Sequence, residues 1–166
     1  MAARWTDLLD PDGAALDAAA PCPLHPRAVE AMLAPSEPGN EPRPTLEAHT
    51  GYVFGILLVA VAVPDEDAVY YQEIELALTQ DQLLTGRKTP SGREPYDPAG
   101  VKKAVGDAPD AAMIAYQLID DVAESYLNLL DALNDEIDEL EDHVEEWPAV
   151  KIRGRLSALR HDMLQI

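Results

Sequence analysis

A chain of 166 residues is long enough to bury a core of its own. Thirty-one acidic against 12 basic side chains give a net charge of −19. That charge repels a phosphate backbone, which rules against nucleic acid as a partner, and it favours cations, divalent metals included. The single Cys22 cannot close an internal disulfide, and the longest apolar run is too short to span a bilayer. With no basic stretch at Met1 to open a signal peptide, the expectation is a soluble chain in a reducing compartment.

The N-terminal section is Pro-rich and broken into short pieces. Trp5 to Leu9 reads as a short strand, closed by the turn Asp10-Pro11-Asp12-Gly13. Ala14 to Ala20 reads as a helix capped by Asp12, and Pro21-Cys22-Pro23 stops it. A second short helix is expected to start at His25-Pro26, because proline suits a first helical turn. It runs through Val29, Met32 and Leu33 to Ala34. Ser36 to Pro44, with Gly39 and three prolines, reads as a loop.

Two or three strands follow. Tyr52 to Val61 is apolar throughout, as a strand covered on both faces would be. The acidic turn 64–67 ends it. From Val69 to Leu78 the chain sets Ile74, Leu76 and Leu78 on one side and Glu73 and Glu75 on the other, which predicts a strand with one wetter face. Leu83-Leu84-Thr85 is a third short strand. Thr89 to Gly100 is a Pro/Gly loop, and Val101 to Val105 a brief helical turn. Strands alternating with helices predict an α/β domain over residues 1–109.

Residues 110–146 form the dominant element. Val122, Tyr126, Leu129, Leu133, Ile137, Leu140 and Val144 recur in steps of three and four, the period of a helix with one buried stripe. Between Asp107 and Glu146 there are fourteen Asp or Glu and no Lys or Arg. At 1.5 Å per residue the helix would run roughly 55 Å, which suits a stalk or an interface better than a core. Trp147-Pro148 breaks it. A second, basic helix follows, with the stripe Ile152, Leu156, Leu159, Met163 and Ile166. The short break predicts an antiparallel hairpin over residues 110–166, with Glu141, Asp142 and Glu145 near Lys151, Arg153 and Arg155.

Catalytic patterns do not assemble, and the chain reads as a non-enzyme. Gly86-Arg87-Lys88-Thr89 resembles only the end of a phosphate loop, without the earlier glycine and with no helix directly after it. Cys22 has no evident base, and the four histidines are scattered. Glu139 and His143 stand one helical turn apart and could share a metal, but a solvated helical pair is the simpler reading. The acidic ladder, taken alone, is a solvated helix face.

The order of features resembles the cytosolic portion of the CorA family of magnesium and cobalt transporters. The resemblance begins at Trp5-Thr6-Asp7-Leu8 and is firmest at Leu24-His25-Pro26 with Glu30 four residues on. It continues through Arg43-Pro44-Thr45-Leu46-Glu47 and Leu84-Thr85. It then takes in Leu118-Ile119-Asp120, Tyr126, the run from Asp135 to Glu141, and Leu159-Arg160. No single piece is specific; their order over nearly the whole chain is.

The resemblance implies an αβα sandwich with a small mixed sheet, followed by a long antiparallel helical hairpin. It implies a regulatory, metal-sensing cytosolic domain that gates Mg²⁺ or Co²⁺ flux in a full-length pentamer on the cytoplasmic side of a membrane. The membrane is reached only through C-terminal helices absent here, so this chain alone is expected to be a soluble monomer or weak dimer. The family's opening strands before Trp5 are expected to be missing or very short. The regulatory ligand implied is Mg²⁺, with Co²⁺ or another divalent cation as the alternative. Glu30 matches an acid on the family's short helix, and Asp120 an acid on the long helix facing the same site. Ala31 stands where the family has an acid or Asn. The alternatives are an acidic hairpin scaffold with no metal role and a zinc-transporting relative.

Overall fold

The computed structural model of the chain describes residues 3–63, 68–107 and 110–163, and the side chains as far as residue 160. In chain order the elements are β1 (Arg4–Leu9), α1 (Gly13–Ala19), α2 (Pro26–Leu33), β2 (Thr45–His49), β3 (Tyr52–Val63), β4 (Ala68–Leu78), β5 (Gln82–Arg87), α3 (Ala99–Val105), α4 (Ala111–His143) and α5 (Ala149–Met163). The strands form one mixed sheet in the order β1-β5-β4-β3-β2. β1 runs parallel to β5, with Trp5 opposite Leu83 and Asp7 opposite Thr85. β4 is antiparallel to β5, and β2 antiparallel to β3. The acidic turn 64–67 and the side chains of Met163 and Ile166 lie outside the described residues.

Two compact units emerge. The first comprises Met1–Val59 and Tyr71–Ala123, and the second Ala60–Tyr70 and Glu124–Ile166. In the first unit the short helices form where their caps are. Asp12 Oδ1 accepts from the Ala15 amide at 2.7 Å, and His25 caps α2 through the Arg27 amide, with Pro26 in the first turn. Leu16 of α1 and Ala28 and Met32 of α2 bury against Tyr52, Phe54 and Ile56 of β3, Ala77 of β4 and Leu84 of β5. The opposite face of the sheet, carrying Trp5, Asp7, Ile74, Leu76 and Thr85, is covered by α3 and the start of α4. There Val101, Ala111, Ile114, Ala115 and Leu118 are buried. The result is the expected three-layer α/β arrangement.

The sheet also corrects two expectations. Thr45–His49, to which the sequence pattern assigns no element, is a strand; it is short, largely exposed and lies at the edge. β4 has no wet face. It occupies the middle of the sheet, so both of its sides are covered, and Glu73 and Glu75 are 3% and 0% exposed. Alternation along a strand distinguishes two faces, but it does not say which of them meets solvent.

In the second unit the remainder of α4 packs against α5 as an antiparallel hairpin. Leu129, Leu140 and Leu159 are buried, and Ile137, Leu140 and Val144 line an apolar groove with Ile152, Leu156 and Leu159. The Ser125 hydroxyl accepts from the Ala60 amide at 3.0 Å. α4 stops at His143, whose ring stacks on Trp147 at 4.5 Å; Lys151 Nζ lies 3.2 Å from the other ring's centroid. The pairing of Arg155 differs from expectation. Arg155 grips Glu136 through Nε (2.7 Å) and Nη2 (2.5 Å), and Glu139 through Nη1 (2.9 Å). The cause is hairpin geometry: Arg155 lies two turns beyond the break, so it meets residues two turns before it.

Candidate functional site

The residues singled out as metal ligands stand on two helices of the first unit. Glu30 is exposed on α2, and Asp120 is exposed on α4, where the Gln117 amide leans towards it at 3.5 Å. α2 and α4 belong to different layers of the sandwich, and among the described residues no hydrogen bond or ion pair joins the two carboxylates. Nor, among the described residues, does any group of three or more His, Cys, Asp or Glu side chains stand ready to hold an ion. Ala31 offers no oxygen from its side chain and packs partly against the core under α2.

The residue after Asp120 is held differently. Asp121 accepts a hydrogen bond from the Tyr96 hydroxyl at 2.5 Å. Burial, and then that carboxylate, raise the Tyr96 phenol above its ordinary range. The Glu139–His143 pair is not a metal site. His143 Nδ1 lies 2.9 Å from the Glu139 backbone oxygen and its ring stacks on Trp147, while the Glu139 carboxylate faces Arg155.

The segment 86–89 is structural, and each of its polar side chains is engaged within the fold. Asp7, its side chain 8% exposed, receives Arg87 Nε at 2.9 Å and Nη2 at 3.0 Å and the Thr85 hydroxyl at 2.8 Å. Arg87 Nη1 donates to the Tyr96 carbonyl, and the Trp5 indole donates to Thr85. Asp10, at a left-handed φ of 46°, takes both the amide and the hydroxyl of Thr89. Lys88 turns inward between Glu73 and Glu75 and joins them in a buried cluster. A phosphate has no free donors here.

Comparisons with known proteins bear on the whole chain. Its sequence matches the family model for CorA-like Mg²⁺ transporter proteins over residues 2–166. It is 24% identical over 147 residues to the cobalt/magnesium transport protein CorA of Thermotoga maritima, covering 86% of this chain and 40% of that protein. The fold superposes on the full-length CmaX protein with a TM-score of 0.64 at 16% identity, over 96% of this chain and 50% of that one. The chain thus spans half or less of the length of these relatives, and no helix among its described residues is long and apolar enough to cross a membrane. With the three-layer domain, the long acidic helix and its basic return in one order, the chain belongs to the CorA-like Mg²⁺ transporter family.

Proposed function

We propose that this chain is the metal-sensing cytosolic part of a CorA-type transporter of Mg²⁺ or Co²⁺, regulating flux through membrane helices carried outside residues 1–166. The observation that supports the reading is the family match, which runs from residue 2 to residue 166. Glu30 and Asp120 are the carboxylates assigned to the regulatory ion. Since they stand in different layers of the sandwich, the two would serve one ion only across neighbouring copies of the domain in a pentamer. Filling such sites neutralises carboxylates that would otherwise repel across the interface, and that is how internal Mg²⁺ would favour one arrangement of the pore. On its own the chain would be monomeric or weakly dimeric, and each carboxylate would then bind hydrated Mg²⁺ separately, at millimolar concentrations.

Thermal denaturation with rising MgCl₂ tests this. A ligand bound only by the folded state stabilises it by about 2.7 kcal/mol at a hundredfold excess over its dissociation constant. For a chain of this size that moves the midpoint by several degrees. A −19 chain is also stabilised by simple screening, so NaCl at matched ionic strength is the control. The double variant Glu30→Gln with Asp120→Asn should lose the magnesium-specific part. If it keeps all of it, these two carboxylates are not the sensor, and the acidic-scaffold reading gains.

A further inference from the structure

The sheet buries three charged side chains in one place, and their charges do not balance. Glu73 and Glu75 lie on the β4 face turned towards α1 and α2, Glu75 directly opposite Gly86, and Lys88 follows the end of β5. The three are 3%, 0% and 3% exposed. Lys88 Nζ donates to Glu73 Oε1 and stands 2.7 Å from Glu75 Oε1. Neither oxygen of Glu75 has a hydrogen bond of good geometry. One ammonium neutralises one carboxylate. The second would be a lone buried anion, a state that proteins avoid by neutralising the group.

Among the described residues, Glu73 and Lys88 are the charged groups that act on Glu75. A Cβ added at Gly86 would lie 3.6 Å from Glu75 Oε2, 3.8 Å from Pro11 Cγ and 3.9 Å from Met32 Cγ. The carboxylate, the β1–α1 turn and α2 thus all border the space over Gly86, and the turn and the helix bring apolar groups to it. Asp10, which shares a neighbouring cavity with Lys88, is committed to Thr89. Glu37, which lines a cavity together with Glu73 and Lys88, lies at the surface and takes its hydrogen bond from Asn40. A cavity of about 240 Å³ reaches from Glu37, Asn40 and Pro42 in the loop, past Ala31 and Ala34, to Glu73 and Lys88. Water and small ions therefore have a route to the cluster.

We propose that Glu73, Glu75 and Lys88 form a proton-binding site beneath α2, with the bound proton supplying the charge that the three side chains lack. In keeping with this, burial and then the adjacent Glu73 carboxyl push Glu75 up to about 8, against the opposing pull of Lys88. At neutral pH Glu75 is then the neutral member, and Glu73 and Lys88 are the ion pair. The site is independent of Glu30 and Asp120 and does not rest on the proposed function. Its consequence is that the chain senses protons through the same layer that carries Glu30.

The sign of the linkage is definite. The folded state holds this proton more tightly than the unfolded chain, whose Glu75 titrates near 4.5. The stabilisation is complete below that value and is lost as pH rises towards about 8. Urea denaturation of the full chain and of Glu75→Gln from pH 5 to 9.5 reads this directly. The unfolding constant of the wild type, divided by that of the variant, should climb close to tenfold per pH unit and level off above about 8. A ratio that does not move with pH overturns the proposal.

Carboxyl ¹³C titration of the wild type gives a second readout that needs no variant to fold. The Glu75 carbon should move with a midpoint near 8, and in Glu73→Gln, where Lys88 alone balances Glu75, the midpoint should fall. A wild-type midpoint in the ordinary carboxylate range overturns the assignment. So does a cluster whose ¹³C shifts follow K⁺ or Na⁺ concentration at fixed pH but not pH itself, since the balancing charge would then be a metal cation.

Discussion

Replacing Asp7 with Ala should be among the most damaging single changes to the first unit, and its size can be worked from the geometry. Asp7 holds both forks of Arg87, the Thr85 hydroxyl and, at 3.3 Å, Lys102. The Arg87 side chain is only 14% exposed, so truncating Asp7 strands a guanidinium that keeps just the Tyr96 carbonyl. Breaking one side of a buried pair costs about 3–5 kcal/mol. The surviving carbonyl places the expected loss near the lower end, about 3 kcal/mol. Lys102, half exposed, adds under about 1 kcal/mol. For a chain of this length the midpoint should fall by roughly 6–12 °C. Urea denaturation followed by Trp5 emission in a Trp147→Phe background reports on this region, because the Trp5 indole donates to Thr85. Adding Arg87→Met to Asp7→Leu should recover much of the loss, with a coupling energy of about 2 kcal/mol in the double-mutant cycle. A loss under about 1 kcal/mol for Asp7→Ala, or a coupling near zero, would refute the reasoning.

Two further substitutions probe the packing of the edge strand and the hairpin clasp. Gly55→Ala should cost about 1–3 kcal/mol in chemical denaturation, because the added Cβ would lie 2.6 Å from Leu46 Cδ2 and 3.2 Å from Leu76 Cγ. Pairing it with Leu46→Ala should recover part of that loss, and no recovery would place the strain at Leu76. In the second unit, a double-mutant cycle should couple Arg155 to Glu136 by about 1–2 kcal/mol and to the half-exposed Glu139 by under about 0.5 kcal/mol. Equal couplings would mean that the bidentate grip carries no extra weight.

How far the sequence could be read depended on whether the deciding signal was local. Asp12, Pro26 and the 122–144 stripe are local, and each gave its element to within a few residues. β2 escaped because five residues with Glu47 and His49 among them carry little strand pattern. What makes them a strand is the partner β3, with Leu46 set opposite Gly55. Glu73 and Glu75 were misplaced because only the sheet order, not the alternation, puts β4 in the middle. Lys88, fifteen residues beyond Glu73, was the available hint: a second cation after Arg87, just past a strand, matched to two acids on the strand beside it. For the candidate metal ligands the sequence supplied Glu30 and Asp120 through family resemblance alone. Both are exposed, and exposed carboxylates leave no packing signature to read.

The parallel pairing of β1 with β5 has a consequence for how the chain is made. Arg4 to Leu9 leave the ribosome well before the strand they join, which ends at Arg87. At about 5–20 residues per second, close to eighty further residues take roughly 4–16 s to appear. Throughout that interval Asp7 has no guanidinium, Trp5 has no hydroxyl to donate to, and the edge they will occupy does not exist. β2 and β3, and then β4 and β5, meet partners made just before or just after them, so those antiparallel pairs can form as synthesis proceeds. β1 can dock only afterwards, closing a loop of that length. A nascent chain arrested ahead of Arg87 would therefore hold its N-terminal strand loose, and that strand would be the segment most open to proteases and chaperones.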